Sequence, residues 1–212
     1  VSIEVDERWY TWPYIIFEHA EQNINKWIKN PDWSKLNYGG GVEKYNFRGR
    51  NEVIKLTIVG GFTREFSVEY RNFYLDRKKR HSFSAQVHYI FQKQMTYLTE
   101  NNNSVSYKSD DDVIFQKRGG QIRYTYRKKI HTRQTLTLEY ENSKIADTIN
   151  LLNPLFFSSD SKRFSAFTMT YQYRRDFRDI RSFPLKGYLI DFSISKTGIG
   201  LIKNSTMKNL AF

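Results

Sequence analysis

YQYRRDFRDIRSFPLKGYLIDFSIS, Tyr171 to Ser195 of a 212-residue chain, decides how the rest of the sequence reads. Tyr171 and Tyr173 alternate with Gln172 before the run breaks into charge at Arg174, Arg175, Asp176, Arg178, Asp179 and Arg181. A second alternating run then sets Tyr188, Ile190, Phe192 and Ile194 against Leu189, Asp191, Ser193 and Ser195. Between the runs lies Phe183-Pro184-Leu185-Lys186-Gly187. Proline has no N–H to give a ladder, and glycine accepts a positive φ, so both belong in a turn. The stretch is a hairpin with its charge gathered at the turn.

The same period-two stripe runs through most of the chain. Ile54, Leu56 and Ile58 oppose Lys55 and Thr57, and Phe66, Val68 and Tyr70 oppose Ser67, Glu69 and Arg71. Phe83 to Tyr89, Ile122 to Tyr126 and Leu136 to Tyr140 repeat the pattern. In the run before the turn, Phe167, Met169, Tyr171 and Tyr173 oppose Thr168, Thr170 and Gln172. With the Gly-rich NYGGGVEKYNF from Asn37 and the short NLLNPLFF from Asn150, the count is about nine strands with modest, antiparallel-type connections. The opening VSIEVDERWY reads as a separate strand. Phe17, Ala20, Ile24, Trp27 and Ile28 have helical spacing before Pro31, which predicts one short helix.

Aromatics make up 17% of the residues, yet the mean hydropathy is −0.67. No apolar run approaches the roughly 18 residues that a membrane-spanning helix needs. Soluble β proteins and membrane β-barrels both combine many aromatics with low mean hydropathy. Strand length separates them: several runs continue for about ten residues, what a tilted strand needs to cross hydrocarbon, against five or six in typical soluble sheets. Arg, Glu, Gln and Thr in mid-strand opposite aromatics fit an apolar outer band around a polar lumen. A self-contained small barrel and a soluble basic β protein remain as alternatives.

The net charge of +12 comes from 34 Lys and Arg against 22 Asp and Glu, and much of it lies in turn-like runs such as DRKKRH and YRKKIH. Tyr and Phe on a basic sheet can stack bases, but a stacking platform needs both on one face, and here they alternate across the strand. Nucleic acid is therefore not expected as a partner. No cysteine means no disulfide and no thiolate chemistry. His19, His81, His88 and His131 lie far apart without metal-ligand spacing, and Asp110, Asp111 and Asp112 read as a solvated turn. Arginines flanking Asp176 and Asp179 hold both ionised, which is wrong for general-acid work. No P-loop or nucleophile motif is present. The reading is non-enzymatic, without metal or cofactor.

The Tyr171–Ser195 segment resembles the BamA/TamA outer-membrane assembly family. There a strand descends into Arg/Asp residues, turns through Phe-Pro-x-x-Gly at the periplasmic side, and rises again. The matching positions are Asp176, Arg178, Asp179, Phe183, Pro184, Lys186 and Gly187. LNYGGGVEKYNFRGRNEVIKLTIVGG is similar to the family's first barrel hairpin, and EFSVEYRNFYLD with SFSAQVHYIF to its next. The Arg-Gly of FRGRN lacks the aromatic of the family's lumenal motif and is not equated with it.

The resemblance implies a transmembrane antiparallel β-barrel in the outer membrane of a diderm bacterium. Residues 1–12 would end a periplasmic POTRA-like segment, 13–36 would form a linker with a short helix, and 37–212 a partial barrel. That barrel would have about nine strands of the family's roughly sixteen, and would not close alone. It further implies outer-membrane lipids, client outer-membrane proteins and accessory assembly proteins as partners. The implied working seam is the Gly-rich first barrel strand, Tyr38, Gly39, Gly40, Gly41, Val42 and Lys44. Three consecutive glycines weaken a strand's packing, so its ladder is expected to open most easily.

Overall fold

The computed structural model describes residues 8–20, 33–100, 103–109, 112–157 and 161–198. Nine strands form one antiparallel sheet: β1 (Thr11–His19), β2 (Leu36–Phe47), β3 (Glu52–Gly61), β4 (Thr63–Tyr74), β5 (His81–Gln92), β8 (Phe115–Lys129), β9 (Thr132–Ile145), β10 (Arg163–Asp176) and β11 (Leu189–Thr197). Neighbours in sequence are neighbours in the sheet, except that the separate hairpin β6 (Gln94–Glu100) and β7 (Asn103–Lys108) stands between β5 and β8. Several strands run twelve residues or more.

The two faces of the sheet invert the usual arrangement. Ile15, Phe17, Ile58, Phe66, Val87, Ile122, Leu138 and Met169 are exposed, while Thr57, Ser67, Ser82, Thr135 and Ser143 are buried. Register makes the exposed set continuous: Val42 faces Leu56, Leu56 faces Val68, and Val68 faces Val87. Ile122 faces Leu138, which faces Met169. The polar face curls around a cavity of about 540 Å³ to which strands from β4 to β11 contribute, Thr170 and Gln172 among them. Apolar side chains outside and polar ones inside define a membrane barrel wall, because hydrocarbon is the only surrounding in which that apolar band is stable. Thr168, Thr170 and Gln172 thus face inward, as their alternation with Phe167, Met169 and Tyr171 predicts.

Two sequence expectations are corrected. Residues 13–19, assigned to a helical linker, lie in β1, which pairs along its whole length with β2. Phe17 extends outward instead of packing a helix face. Pro13 is tolerated because β1 is an edge strand, where a missing N–H breaks nothing on the open side. The remaining helical spacing, through Ile24, Trp27 and Ile28, and the strand at residues 1–5 lie outside the described residues. NLLNPLFF is no strand: Asp147–Leu152 form a short helix, α1, and the segment after it turns.

The β6–β7 hairpin also escaped the strand count. Hairpin and helix fold together over one end of the sheet, where Ile114, Ile145 and Ile149 are fully buried beneath Met95, Tyr97, Tyr107 and Phe156. This is an ordinary apolar core outside the membrane band, and Asn153 pins it by donating Nδ2 to the Tyr97 carbonyl at 2.8 Å.

Face polarity predicts asymmetric substitution costs along β10. Met169→Arg in the full-length protein should lose about 2–4 kcal/mol, the cost of arginine near mid-bilayer on a lipid face, and Thr168→Arg markedly less. Guanidinium unfolding in liposomes measures both.

Candidate functional site

The Gly-rich strand is not the edge. Tyr38, Gly39, Gly40, Gly41, Val42 and Lys44 pair with Phe17, Ile16, Ile15, Tyr14, Pro13 and Thr11 of β1. On their other side they pair with Gly60, Val59, Ile58, Thr57, Leu56 and Ile54 of β3. The expected seam strand therefore offers no free backbone, and β1 takes the edge position.

The glycines have a different physical role from weakening the ladder. A side chain at Gly41 would collide with the Leu56 carbonyl and with the ring and hydroxyl of Tyr14. A Cβ at Gly39 would meet the Ile58 carbonyl, and one at Gly40 would lie 2.8 Å from the Tyr14 carbonyl. Tyr14 crosses β2 over the bare backbone of Gly41 and reaches β3, where its hydroxyl lies 2.6 Å from Thr57 Oγ1 and 3.2 Å from the Leu56 carbonyl. Lys55 Nζ sits 5.0 Å from the centre of the Tyr14 ring. The glycines let a side chain bolt β1 to the third strand.

The charged turn divides its work between its two aspartates. Asp176, at the end of β10 and with a side chain only 12% exposed, receives Arg178 in bidentate fashion, Nε at 2.9 Å and Nη2 at 3.0 Å. Arg181 and Arg174 approach the same carboxylate at 3.8 and 3.9 Å. Asp179 pairs with none of these arginines. Its Oδ1 accepts the backbone N–H groups of Ile180 at 2.8 Å and Leu185 at 3.1 Å. The N–H groups of Ile180, Lys186 and Leu185 hold the Asp179 carboxyl below its usual range against a desolvation cost.

Gly187 adopts a φ of +97°, and a side chain there would strike the Phe177 carbonyl. Arg175 stacks over Phe177 and Tyr188, 5.0 and 5.8 Å from their ring centres. Phe183 and Leu185 are 82% and 85% exposed, and Pro184 lies outside the ladders. The backbone of Lys186 helps to close the turn, its carbonyl accepting Asp179 N–H at 3.0 Å.

A second charged cluster was not anticipated. Glu52, fully buried at the start of β3, accepts Tyr70 Oη at 2.6 Å and Arg48 Nε at 3.0 Å. Arg50 stands 3.7 Å from its other oxygen. At the end of β2 and in the turn to β3, Asn46, Arg48, Gly49 and Asn51 all have positive φ, and Asn51 N–H bonds Asn46 Oδ1 at 2.9 Å. The cluster ties that irregular turn to β4. Only the adjacent Asn and Gly residues of NFRGRN signalled an irregular turn in the sequence.

A one-sheet wall with an apolar outer face, a polar inner face and charged turns at one end defines a segment of a transmembrane antiparallel β-barrel. The Omp85 superfamily domain matches residues 46–211, more than half of the chain, and the chain belongs to that superfamily of outer-membrane assembly-type barrels. Among solved structures, the crystal structure of BamA from Haemophilus ducreyi lacking POTRA domains 1–3 matches with a TM-score of 0.52 and 16% identity. That match covers 90% of this chain and 34% of the other, so the chain spans about a third of the length of that crystallised chain and shares its fold. No curated protein sequence matches the chain.

Two outcomes follow from this geometry. Tyr14→Phe should cost about 0.5–1.5 kcal/mol by removing a hydroxyl bond, and Gly41→Val more, because overpacking pushes β1 off β3. Amide exchange in β1 should quicken in both variants while that in β8–β10 stays unchanged. For the turn, the depressed Asp179 carboxyl contributes stability that is complete above the ordinary aspartate range and is lost as pH falls through its lower folded value. The Ile180 and Leu185 amides should therefore lose protection on acidification, and Asp179→Asn should abolish that pH response.

Proposed function

We propose that the protein is an outer-membrane barrel that folds and inserts other outer-membrane proteins, with β1 as its working edge. The observation carrying this reading is that, among the described residues, β1 pairs on one side only, with β2, and leaves its other backbone edge unpaired. An open edge of N–H and C=O groups can template an incoming strand by β-augmentation, with no nucleophile, metal or cofactor. Lipid supplies no competing hydrogen bonds, so a client strand entering the bilayer gains most by pairing at such an edge.

The joint between Tyr14 and Gly41 supports placing the opening on the outer side of β1. The β1–β2 boundary is fastened by a side chain that reaches β3, so the weaker boundary is the one between β1 and the barrel's closing strand. Ile15, 90% exposed, and Phe17 would present the same edge to hydrocarbon. In this reading the Arg/Asp turn of β10–β11 lies at the periplasmic waterline, where charges mark the end of the apolar band, and the β6–β7 hairpin with α1 lies on the outer surface. Membership of the Omp85 superfamily supports the location and the client class.

A cysteine at Ile15, paired with one on the closing strand of the full-length protein, tests the edge. Oxidation should stop insertion of client barrels while leaving the protein folded in the membrane, and reduction should restore it. Normal insertion by the locked form would remove β1 from the mechanism.

A further inference from the structure

The cavity on the inner face is chemically one-sided. Arg71, Lys79, Arg123, Arg127, Arg133 and Arg174 line it, among serine and threonine hydroxyls, and among the described residues no carboxylate belongs to its wall. Arg71 is committed to Glu43 and Glu69, and Arg174 to Asp191 and Asp176. Among the described residues Lys79, Arg123, Arg127 and Arg133 make no ion pair: Arg123 reaches only Gln121 Oε1, at 3.4 Å, and Lys79 only the ring of Tyr74. Four unneutralised cations therefore share one concave, polar space of about 540 Å³. Mutual repulsion makes such a grouping unfavourable unless an anion is present for part of the time.

Strand order places these groups along a line. Arg71 is on β4, Lys79 in the turn before β5, Arg123 and Arg127 on β8, Arg133 on β9 and Arg174 on β10. Adjacent strands are about 4.8 Å apart, so the row extends roughly 20 Å across the sheet. The row lies at the end of the sheet that holds the β4–β5, β8–β9 and β10–β11 turns, and basic runs 77–80 and 127–129 surround it. One phosphate group is far too short to meet it. An extended peptide carries same-face side chains about 6.6–7 Å apart, so alternating acidic residues would come within reach of successive cations. Planar guanidinium groups bind carboxylates in bidentate geometry. The cavity opens on the inner face of the wall, away from the apolar band, where a lipid headgroup would have to leave the bilayer to enter.

We propose that this basic cavity, at the turn end of the barrel lumen, is a binding site for an extended, carboxylate-rich polypeptide segment. The site is separate from the β1 edge and does not depend on that edge's role in insertion. Its contribution is electrostatic, so it captures the segment at low ionic strength and releases it as salt rises.

The test is fluorescence anisotropy with full-length protein in nanodiscs and a labelled peptide alternating Glu with Ser or Thr. Binding should weaken steeply with salt, and the peptide with Gln in place of Glu should not bind. Arg127→Gln with Arg133→Gln should raise Kd about tenfold or more, the loss of two charge-assisted hydrogen bonds. Arg127→Lys with Arg133→Lys should restore most of the affinity, and unchanged heat-modifiability reports that each variant is folded. Arg77→Gln with Lys78→Gln, which removes as much charge from the neighbouring turn outside the cavity, should leave Kd within about twofold. Equal losses in the turn and cavity variants would overturn the site in favour of general basic attraction. Binding of tripolyphosphate but not of the acidic peptide would overturn the polypeptide assignment, and so would no binding of either.

Discussion

Hydrocarbon offers no hydrogen-bond partner, so every peptide group of this chain at membrane depth must be bonded to a neighbouring strand. Antiparallel pairing from β1 to β11, with register shifts after Lys44, Tyr70 and Tyr126, meets that demand for the strands between the two edges of the sheet, and other features of the molecule follow from it. A strand that must stay extended can sort its side chains only by alternation. Apolar groups therefore collect on one face and hydroxyls, amides and charges on the other. Exposed Ile58, Val87 and Ile122 beside buried Thr57, Ser67 and Thr135 would be a folding error in water; in a bilayer they are the stable arrangement.

The same constraint shifts electrostatics and packing to the places where ladders end or thin out. At the β10–β11 turn, one aspartate gathers guanidinium groups while the other holds backbone N–H groups, so the chain reverses with its polar groups satisfied. At the β2–β3 turn, Glu52 does comparable work for a loop with four positive φ angles. Where β2 is stripped to glycine, Tyr14 supplies the missing cross-strand contact from β1. The edge strand is thus well fastened on its inner side and, among the described residues, unpaired on its outer side. Basic runs that look scattered along the chain, such as 77–80 and 127–129, come to one end of the wall because every second turn lies there.

Strand identity and facing were legible in the sequence because period-two alternation is a local signal and survives without tertiary context. The positions of Pro184 and Gly187 were legible for the same reason: one cannot donate to a ladder, and the other takes the positive φ observed. Thr11–His19 was hidden because Trp12, Pro13 and Tyr14 break the alternation, while Phe17 and Ala20 mimic a helical face. NLLNPLFF was ambiguous as a short apolar run, and only its packing with Ile114 and Ile145 settles it as helix and turn. The edge position depends on β1: with that strand read as a linker, the Gly-rich strand looks like the edge of the sheet, whereas it lies between β1 and β3. Neither the Tyr14–Thr57 contact nor the Tyr70–Glu52 contact could be found from sequence, since each joins residues on separate strands.

The sheet stands in a bilayer with its apolar face outward. Nitroxide labels at Thr135, Leu136, Thr137, Leu138 and Glu139 of β9, in full-length protein reconstituted into liposomes, test it most directly. Collision with lipid-soluble oxygen should peak at 136 and 138 and fall at 135, 137 and 139, with a water-soluble relaxation agent showing the opposite phase. A reversed alternation, or water-like values at every position, would mean that the apolar face does not meet lipid.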